Sequence, residues 1–272
     1  NFNFFMSDSL DILVPVYNED EEIIKTLKQI LDNVRCNFNL YICYDYDEDP
    51  TLDIIRKNFP GSSKVKFLKN NSAGFNQALI TGIKKTNGEA LMIFMADDHE
   101  NFNIIDECFQ KFTDGYDLVC PSRFVKGGRM EGNPMVKEIL TRLASIFFQY
   151  FTTFPIKDST NSFRLFSRRV LDKIEKYESE KGFTLSLEIT AKAHRMGFKM
   201  IEIPSIWIER KVGESRFKLL SFLPPYIKWL IYIIKTSVFY KVKWKKYNHN
   251  FNYDADVFFK WHFLDLYTII RN

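Results

Sequence analysis

"LDILVPVYNEDEEIIKTLKQILDNV", residues 10–34, decides the fold. Residues 10–16 form a short apolar run rich in branched side chains, the pattern of a buried strand. Beyond "YNED", Ile23, Ile24, Leu27, Ile30, Leu31 and Val34 recur at helical spacing. Glu19, Asp20, Glu21 and Glu22 load the start of that helix with negative charge, which suits the positive end of its dipole. A strand, a polar turn and an amphipathic helix make the first half of a βα unit.

The alternation continues along the chain. "LYICY" (40–44), "KVKFLK" (64–69), "EALMIFMA" (89–96) and "DLVCPS" (117–122) read as strands. "TLDIIRKNF" (51–59), "GFNQALITGIKK" (74–85) and "IIDECFQKF" (104–112) read as helices between them. This order predicts an α/β fold on a mostly parallel sheet. Ligands bind at the carboxyl ends of such strands. "YNED", "DYDED" and "ADDHE" follow the first, second and fourth strands, so the acidic clusters fall at that edge. Carboxylates that converge repel one another unless a cation or hydrogen-bond donors offset them. A hard divalent ion with oxygen ligands, completed by a diphosphate, is the simplest partner.

The second half is less regular. "NPMVKEILTRLASIFFQYFTTF" (133–154) predicts a long, mostly apolar helix, and "GFTLSLEITAKAHRMG" (182–197) a helix ended by Gly197. "FKMIEIPSIWIER" (198–210) alternates in part, as a half-buried strand would. From residue 219 the texture changes. "LLSFLPPYIKWLIYIIKTSVFY" (219–240) is apolar and aromatic, but Pro224, Pro225, Lys228 and Lys235 interrupt it. No uninterrupted stretch reaches the roughly 18–20 residues of a membrane span. With the basic "KVKWKK" (241–246) behind it, the segment reads as an amphipathic helix in a membrane interface. Packing on the domain or contact with another copy of the chain is the alternative. The expected organisation is a catalytic domain over 1–218 and a helical segment over 219–272.

Composition narrows the function. A chain of 272 residues with 46% hydrophobic and 26% charged residues can bury a sizeable core. A net charge of +4, without an RNA-binding signature or zinc-finger spacing, argues against nucleic acid as partner. The four cysteines form no CxxC pair and read as buried free thiols of a reducing compartment. "NFNFFMSDS" (1–9) lacks the basic and apolar regions of a signal peptide, so a cytoplasmic location is expected.

Several motifs occur in order: "VPVYNE" (14–19), "YDYDEDPT" (44–51), "NNSAGFNQALITGI" (70–83), "FMADDHE" (94–100), "SRFVKGG" (122–128), "DSTNSFRLFSRRVL" (158–171) and "EIPSIWIERKVGESRFKL" (202–219). Together they resemble family 2 glycosyltransferases, specifically the dolichol-phosphate (polyprenyl-phosphate) mannosyltransferase branch, over about residues 10–220. The resemblance implies a Rossmann-like GT-A fold, a GDP- or UDP-linked sugar donor and Mg2+ or Mn2+. It implies that Pro15, Tyr17, Asn18 and Glu19 hold the nucleotide and that Asp45 contacts base or ribose. Asp49 and Thr51 match the end of the second motif, with Thr51 as a helix cap. Gly74, Asn76 and Ala78 match the third, where small residues let a helix approach the nucleotide.

In "FMADDHE", Met95 replaces the family's first aspartate, Ala96 and Asp97 are kept, and His99 stands where glutamine is common. Asp97 is then the chief metal ligand. His99 is a second, through a nitrogen that suits Mn2+ better than Mg2+, or else a hydrogen-bonding turn residue. Asp98 is expected to point away, as the neighbour of Asp97 in an extended stretch. Arg123, Lys137 and Thr141 match the residues that bind an acceptor phosphate, with Arg142 beside them. Lys137 keeps the charge of the usual arginine but lacks its bidentate fork. Asp158 matches a residue of the site floor, and Ser162 and Arg164 belong to the same block. Arg210, Ser215 and Lys218 match a loop that closes over the diphosphate, with Arg210 offsetting leaving-group charge. Arg164 is grouped with that loop, and Glu188 is expected to orient Arg164 or Arg210.

Hydroxyl-directed relatives carry an acidic pair where this chain reads "TLSLE" (184–188). A phosphate acceptor is already largely ionised near neutral pH and needs no base. The expected reaction is therefore inverting sugar transfer to a polyprenyl or dolichyl phosphate, peripheral on the inner face of a membrane. Two rivals stand beside it. One is extension of a surface glycan at a hydroxyl, with Asp158 or Glu188 as base. The other is a catalytically weakened nucleotide-sugar-binding protein, which Met95 favours.

Overall fold

Leu10, Ile12, Leu13 and Val14 have no exposed surface, because β1 (Leu10–Val16) lies inside the sheet and is covered on both faces. The computed structural model describes residues 9–132, 152–179, 182–208 and 224–237. After β1 come α1 (Glu22–Asn33), β2 (Phe38–Tyr44), α2 (Pro50–Asn58), β3 (Val65–Lys69), α3 (Phe75–Lys85) and β4 (Ala90–Ile93). A 3-10 turn (Asn101–Ile104), α4 (Ile105–Thr113), β5 (Leu118–Ser122) and β6 (Arg129–Glu131) follow. The remainder contains β7 (Arg164–Ser167), α5 (Arg168–Lys173), α6 (Leu185–Arg195), β8 (Met200–Pro204), β9 (Ile206–Ile208) and α7 (224–237).

Among the described residues the main sheet has seven strands in the order β3-β2-β1-β4-β7-β5-β8, and β6 pairs with β9 apart from it. β7 alone runs antiparallel, between β4 and β5. This is an α/β fold with a mostly parallel central sheet, as the resemblance implies. The alternation of β1 divides the core. Ile12 and Val14 pack with Ile23, Leu27 and Ile30 of α1. Leu13 faces the other way, toward Ala78, Leu79 and Ile83 of α3.

The strands and helices of the first half lie where the hydrophobic pattern puts them, with four differences further on. First, the strand predicted over 89–96 stops at Ile93, and the chain then turns at Met95–Asp98 (Met95 C=O accepts from Asp98 N at 3.2 Å). Second, β7 is an element that periodicity does not reveal: its four residues are all buried, one of them Arg164, and alternation vanishes when both faces are covered. Third, residues 152–154, the end of the helix predicted over 133–154, are irregular. Thr152 Oγ1 accepts from Phe154 N at 3.0 Å, and Pro155 disfavours a helical residue before it. The rest of that prediction lies outside the described residues. Fourth, the strand predicted over 198–210 is divided at Ser205 into β8 and β9.

α7 falls within the segment 219–240. Its Trp229 and Ile233 are buried in the same core as Phe154, Ile156 and Leu187. Trp229 Nε1 donates to Ser179 Oγ at 2.8 Å. Ile227 and Ile231, one turn apart, remain exposed. Among the described residues no helix is long and apolar enough to cross a membrane. All four cysteines are free thiols, three of them buried.

α3 packs tightly on β1 at Gly82, where an added Cβ would lie 2.3 Å from Leu13 Cδ2 and 2.8 Å from Cδ1. Leu13 is fully buried and has little room to yield. Gly82→Ala should therefore lower stability by about 1–3 kcal/mol through overpacking, despite alanine's better helix propensity. Urea unfolding measures the loss, and unchanged stability would show that Leu13 repacks freely.

Candidate active site

The loops at the carboxyl ends of β1, β2 and β4 are held by acidic side chains that accept backbone N–H groups. Asp49 is buried; it accepts from Thr51 N at 2.9 Å, capping α2, and from Asn18 N at 3.1 Å. Thr51 Oγ1 accepts from Glu19 N at 2.8 Å. The helix cap is thus Asp49 and not the expected Thr51, which instead fixes the "YNE" turn. Asn18 has φ 51°, a left-handed conformation that these bonds stabilise. The Tyr46 hydroxyl donates to Asn18 Oδ1, and the Tyr17 ring stands edge-on to Tyr46 with centroids 5.8 Å apart. Tyr17 is largely exposed, so an aromatic face is presented above the β1 and β2 ends. Pro15 is half-buried within β1, opposite Cys43.

Asp45 spans the mouth of the next loop. Its oxygens accept from Asn70 Nδ2 at 2.8 Å and Gly74 N at 2.9 Å. Gly74 has φ 110° at the start of α3, a conformation that favours glycine. Asn76 is buried and turned toward the opposite layer, where Oδ1 accepts from Leu185 N at 3.3 Å at the start of α6. Its contact belongs to the scaffold.

Each residue of the "ADDHE" stretch has a different environment. The Ala96 carbonyl accepts from Thr26 Oγ1 at 2.8 Å. Thr26 Oγ1 also lies 2.8 Å from His99 Nδ1, and His99 Nε2 lies 3.3 Å from Glu22 Oε2. Asp98 accepts from Asn101 N at 3.0 Å, Asn101 Nδ2 at 2.7 Å and Glu100 N at 3.2 Å. Burial pushes the Asp98 carboxyl above its ordinary value, against the opposing pull of Asn101. Asn101 is buried and also exchanges hydrogen bonds with Ile206 of β9, at 2.6 and 3.0 Å. Asp97 is half-buried between these contacts.

At the end of β5, Arg123 and Asp158 form a buried pair. Arg123 Nε and Nη2 each donate to Asp158 at 2.6 Å, and Arg123 N donates to it at 3.0 Å. Nη2 also reaches Thr160 Oγ1 at 2.9 Å. Asp158 has no exposed surface and Arg123 retains 8%. Burial alone would raise the Asp158 carboxyl, but Arg123 outweighs it and holds the group below the ordinary carboxylate range. Arg164 lies beneath, fully buried, with Nη2 on Asp158 C=O at 2.8 Å and Nη1 on Ser186 C=O at 3.2 Å. It braces the floor from below, away from any surface a diphosphate could reach. Glu188 is also fully buried; it accepts from Glu178 N at 2.7 Å, Ser179 N at 2.6 Å and Lys192 Nζ at 2.6 Å. Those are its partners in place of the expected Arg164. α7 brings Tyr226 into the field of the Arg123–Asp158 pair; burial pushes its phenol up to about 12, with the two arginines pulling the other way. Lys137, Thr141, Arg142, Arg210, Ser215 and Lys218 lie outside the described residues.

The sequence matches the family described as glycosyl transferase family 2 over residues 11–175, more than half of the chain. The chain belongs to glycosyl transferase family 2. An uncharacterized glycosyltransferase of Bacillus subtilis, YkcC, is 26% identical over 216 residues, covering 78% of this chain and 64% of that protein. A dolichol-phosphate mannosyltransferase of Pyrococcus furiosus is 24% identical over 215 residues, covering 77% of this chain and 59% of that protein. The chain therefore spans less than two thirds of the length of these relatives. Among solved structures, the mannosyltransferase PcManGT of Pyrobaculum calidifontis, in complex with GDP-Man and Mn2+, shares the fold with a TM-score of 0.56 at 18% identity. That match covers 77% of this chain and 59% of the other.

Thr26, Tyr46, Asn101 and Thr160 contact the glycosyltransferase's candidate residues and went unread in the sequence. Thr26 had a usable signal, since it is the polar residue on the apolar face of α1, among Ile23, Leu27 and Ile30. The others sit in loops without periodicity.

Breaking a buried ion pair from one side leaves an uncompensated charge, so Asp158→Asn should cost the fold about 3–5 kcal/mol at neutral pH. A carboxyl whose folded value is depressed stabilises fully above its unfolded value near 4 and loses that contribution as pH falls through the lower folded value. The stability gap between the unaltered protein and Asp158→Asn should therefore narrow below about pH 4, as urea unfolding across pH would show.

Proposed function

We propose that this glycosyltransferase moves a sugar, with inversion, from a GDP- or UDP-linked donor to a polyprenyl phosphate, with Mg2+ or Mn2+ as cofactor. The commitment of Asp158 and Glu188 carries this choice of acceptor. A hydroxyl acceptor needs a base, and these are the carboxylates the sequence offers for that role. Both are fully buried and taken up, Asp158 by Arg123 and Glu188 by Lys192 and two backbone N–H groups. A phosphate acceptor is ionised without help. The Pyrococcus relative, named for transfer involving dolichol phosphate, supports the same acceptor.

Tyr17, Asn18, Glu19 and Asp45 are the proposed nucleotide contacts, with the exposed Tyr17 ring as a surface for the base. Among the described residues no three His, Cys, Asp or Glu side chains are grouped to hold a metal. That fits a cation held by a single carboxylate, Asp97, together with substrate phosphates, the usual mode for Mg2+. The Mn2+ in the Pyrobaculum complex supports the same cofactor class. When bound, such an ion would offset charge on the departing diphosphate. Arg123, locked by Asp158, is proposed as the fixed part of the acceptor-phosphate site, with Lys137 and Thr141 completing it. Arg210, Ser215 and Lys218 are proposed to close over the diphosphate. The exposed Ile227 and Ile231, with Lys228 and Lys235 on the same helix, support a peripheral position on a membrane surface.

The test is a donor screen with a short polyprenyl phosphate in vesicles, following release of nucleoside diphosphate. Lipid-dependent release is expected with one donor. Asp97→Asn should lower metal-dependent turnover about 100-fold or more, and Arg123→Ala should raise the KM for lipid. Transfer to a glycan hydroxyl with none to lipid would overturn the acceptor. Nucleotide binding without metal or turnover would instead favour a binding protein.

A further inference from the structure

Thr26 and Asn101 hold the turn at Met95–Asn101 from opposite sides. On one side, Thr26 of α1 reaches both the Ala96 carbonyl and His99 Nδ1, each at 2.8 Å. A carbonyl can only accept, so the single Thr26 hydroxyl proton goes to Ala96, and His99 Nδ1–H donates to Thr26 Oγ1. The other ring nitrogen faces Glu22, also on α1, at 3.3 Å. His99 is thus fastened to α1 through Nδ1, with Glu22 occupying the space beside its other ring nitrogen. On the other side, Asp98 has both oxygens occupied. Oδ1 takes the N–H groups of Glu100 and Asn101, and Oδ2 takes Asn101 Nδ2. Asn101 is itself tied to the backbone of Ile206 in β9 by an N–H and a C=O contact. Thr26 is fully buried and Asn101 nearly so, at 3% exposure, so water competes weakly for these bonds.

Asp97 lies between the two attachments. Glu22, His99 and Asp97 do not form a metal group, since none of three such side chains exists among the described residues. Met95 stands where the resembled family has a further carboxylate, so the placing of Asp97 matters more. A lone ligand depends on the groups that fix it.

We propose that Asp98 and His99 are braces and not metal ligands, and that Thr26 and Asn101 are positioning residues that hold Asp97 for a divalent cation bound through oxygen alone. This rests on the assignment of Asp97 as the metal ligand. The probe is Mn2+ titrated into the full chain with GDP or UDP present, with free Mn2+ read by electron paramagnetic resonance. Thr26→Val and Asn101→Ala should each weaken Mn2+ about 10- to 100-fold, and Thr26→Ser, which keeps the hydroxyl, should restore it. Thermal unfolding of each variant reports whether the fold survives. On the unaltered protein, spin-echo modulation should show no directly bonded imidazole nitrogen, a measurement that needs no variant. A bonded nitrogen would overturn the brace, as would unaltered Mn2+ affinity in both Thr26→Val and Asn101→Ala while Asp97→Asn loses it. If Asp97→Asn keeps full affinity, the metal assignment itself falls.

Discussion

A fully buried carboxylate has to be compensated, and the second half of the molecule is organised around meeting that demand at Asp158. Its side chain takes the Arg123 guanidinium and backbone N–H at the end of β5. Its own N–H goes to Glu202 of β8 at 3.0 Å, and its carbonyl takes Arg164 of β7. One residue therefore joins β5, β7 and β8, strands far apart in sequence. Arg164 extends the connection to α6 through Ser186 and Thr190. Removing water from so many polar groups is tolerable only because nearly all find partners.

The same device recurs at the other strand ends. Asp49 holds the turn after β1, Asp45 holds the start of α3, and Asp98 holds the turn after β4. A cluster of acidic residues at the edge of a parallel sheet suggests repulsion and a cation to relieve it. Here most of that charge is relieved by backbone N–H groups, which is the second way of satisfying converging carboxylates. On the proposed assignment, the chemistry would rest on few side chains held in place by many others.

Much of the fold was legible because β1 to α4 obey simple periods: apolar runs for buried strands and 3.6-residue spacing for helices. The order of the acidic motifs was legible for the same reason, since each follows a strand. β7 was hidden because a strand buried on both faces and carrying Arg164 has neither alternation nor uniform hydrophobicity. Asn76, Arg164 and Glu188 carried polar groups suited to a site but satisfy other parts of the scaffold. Residue type and position along the chain do not say which way a side chain turns.

The sequence by itself determined the α/β class, the parallel core and the edge at which ligands meet it, because hydrophobic spacing and strand-to-loop order are local properties of the chain. Only the tertiary structure decided which of the polar residues remain for chemistry. Hydrogen bonding between residues such as Thr26 and His99, or Arg123 and Asp158, spans 73 and 35 positions. Such contacts exist only once the sheet has brought its loops together, and they decide which way each polar group is turned.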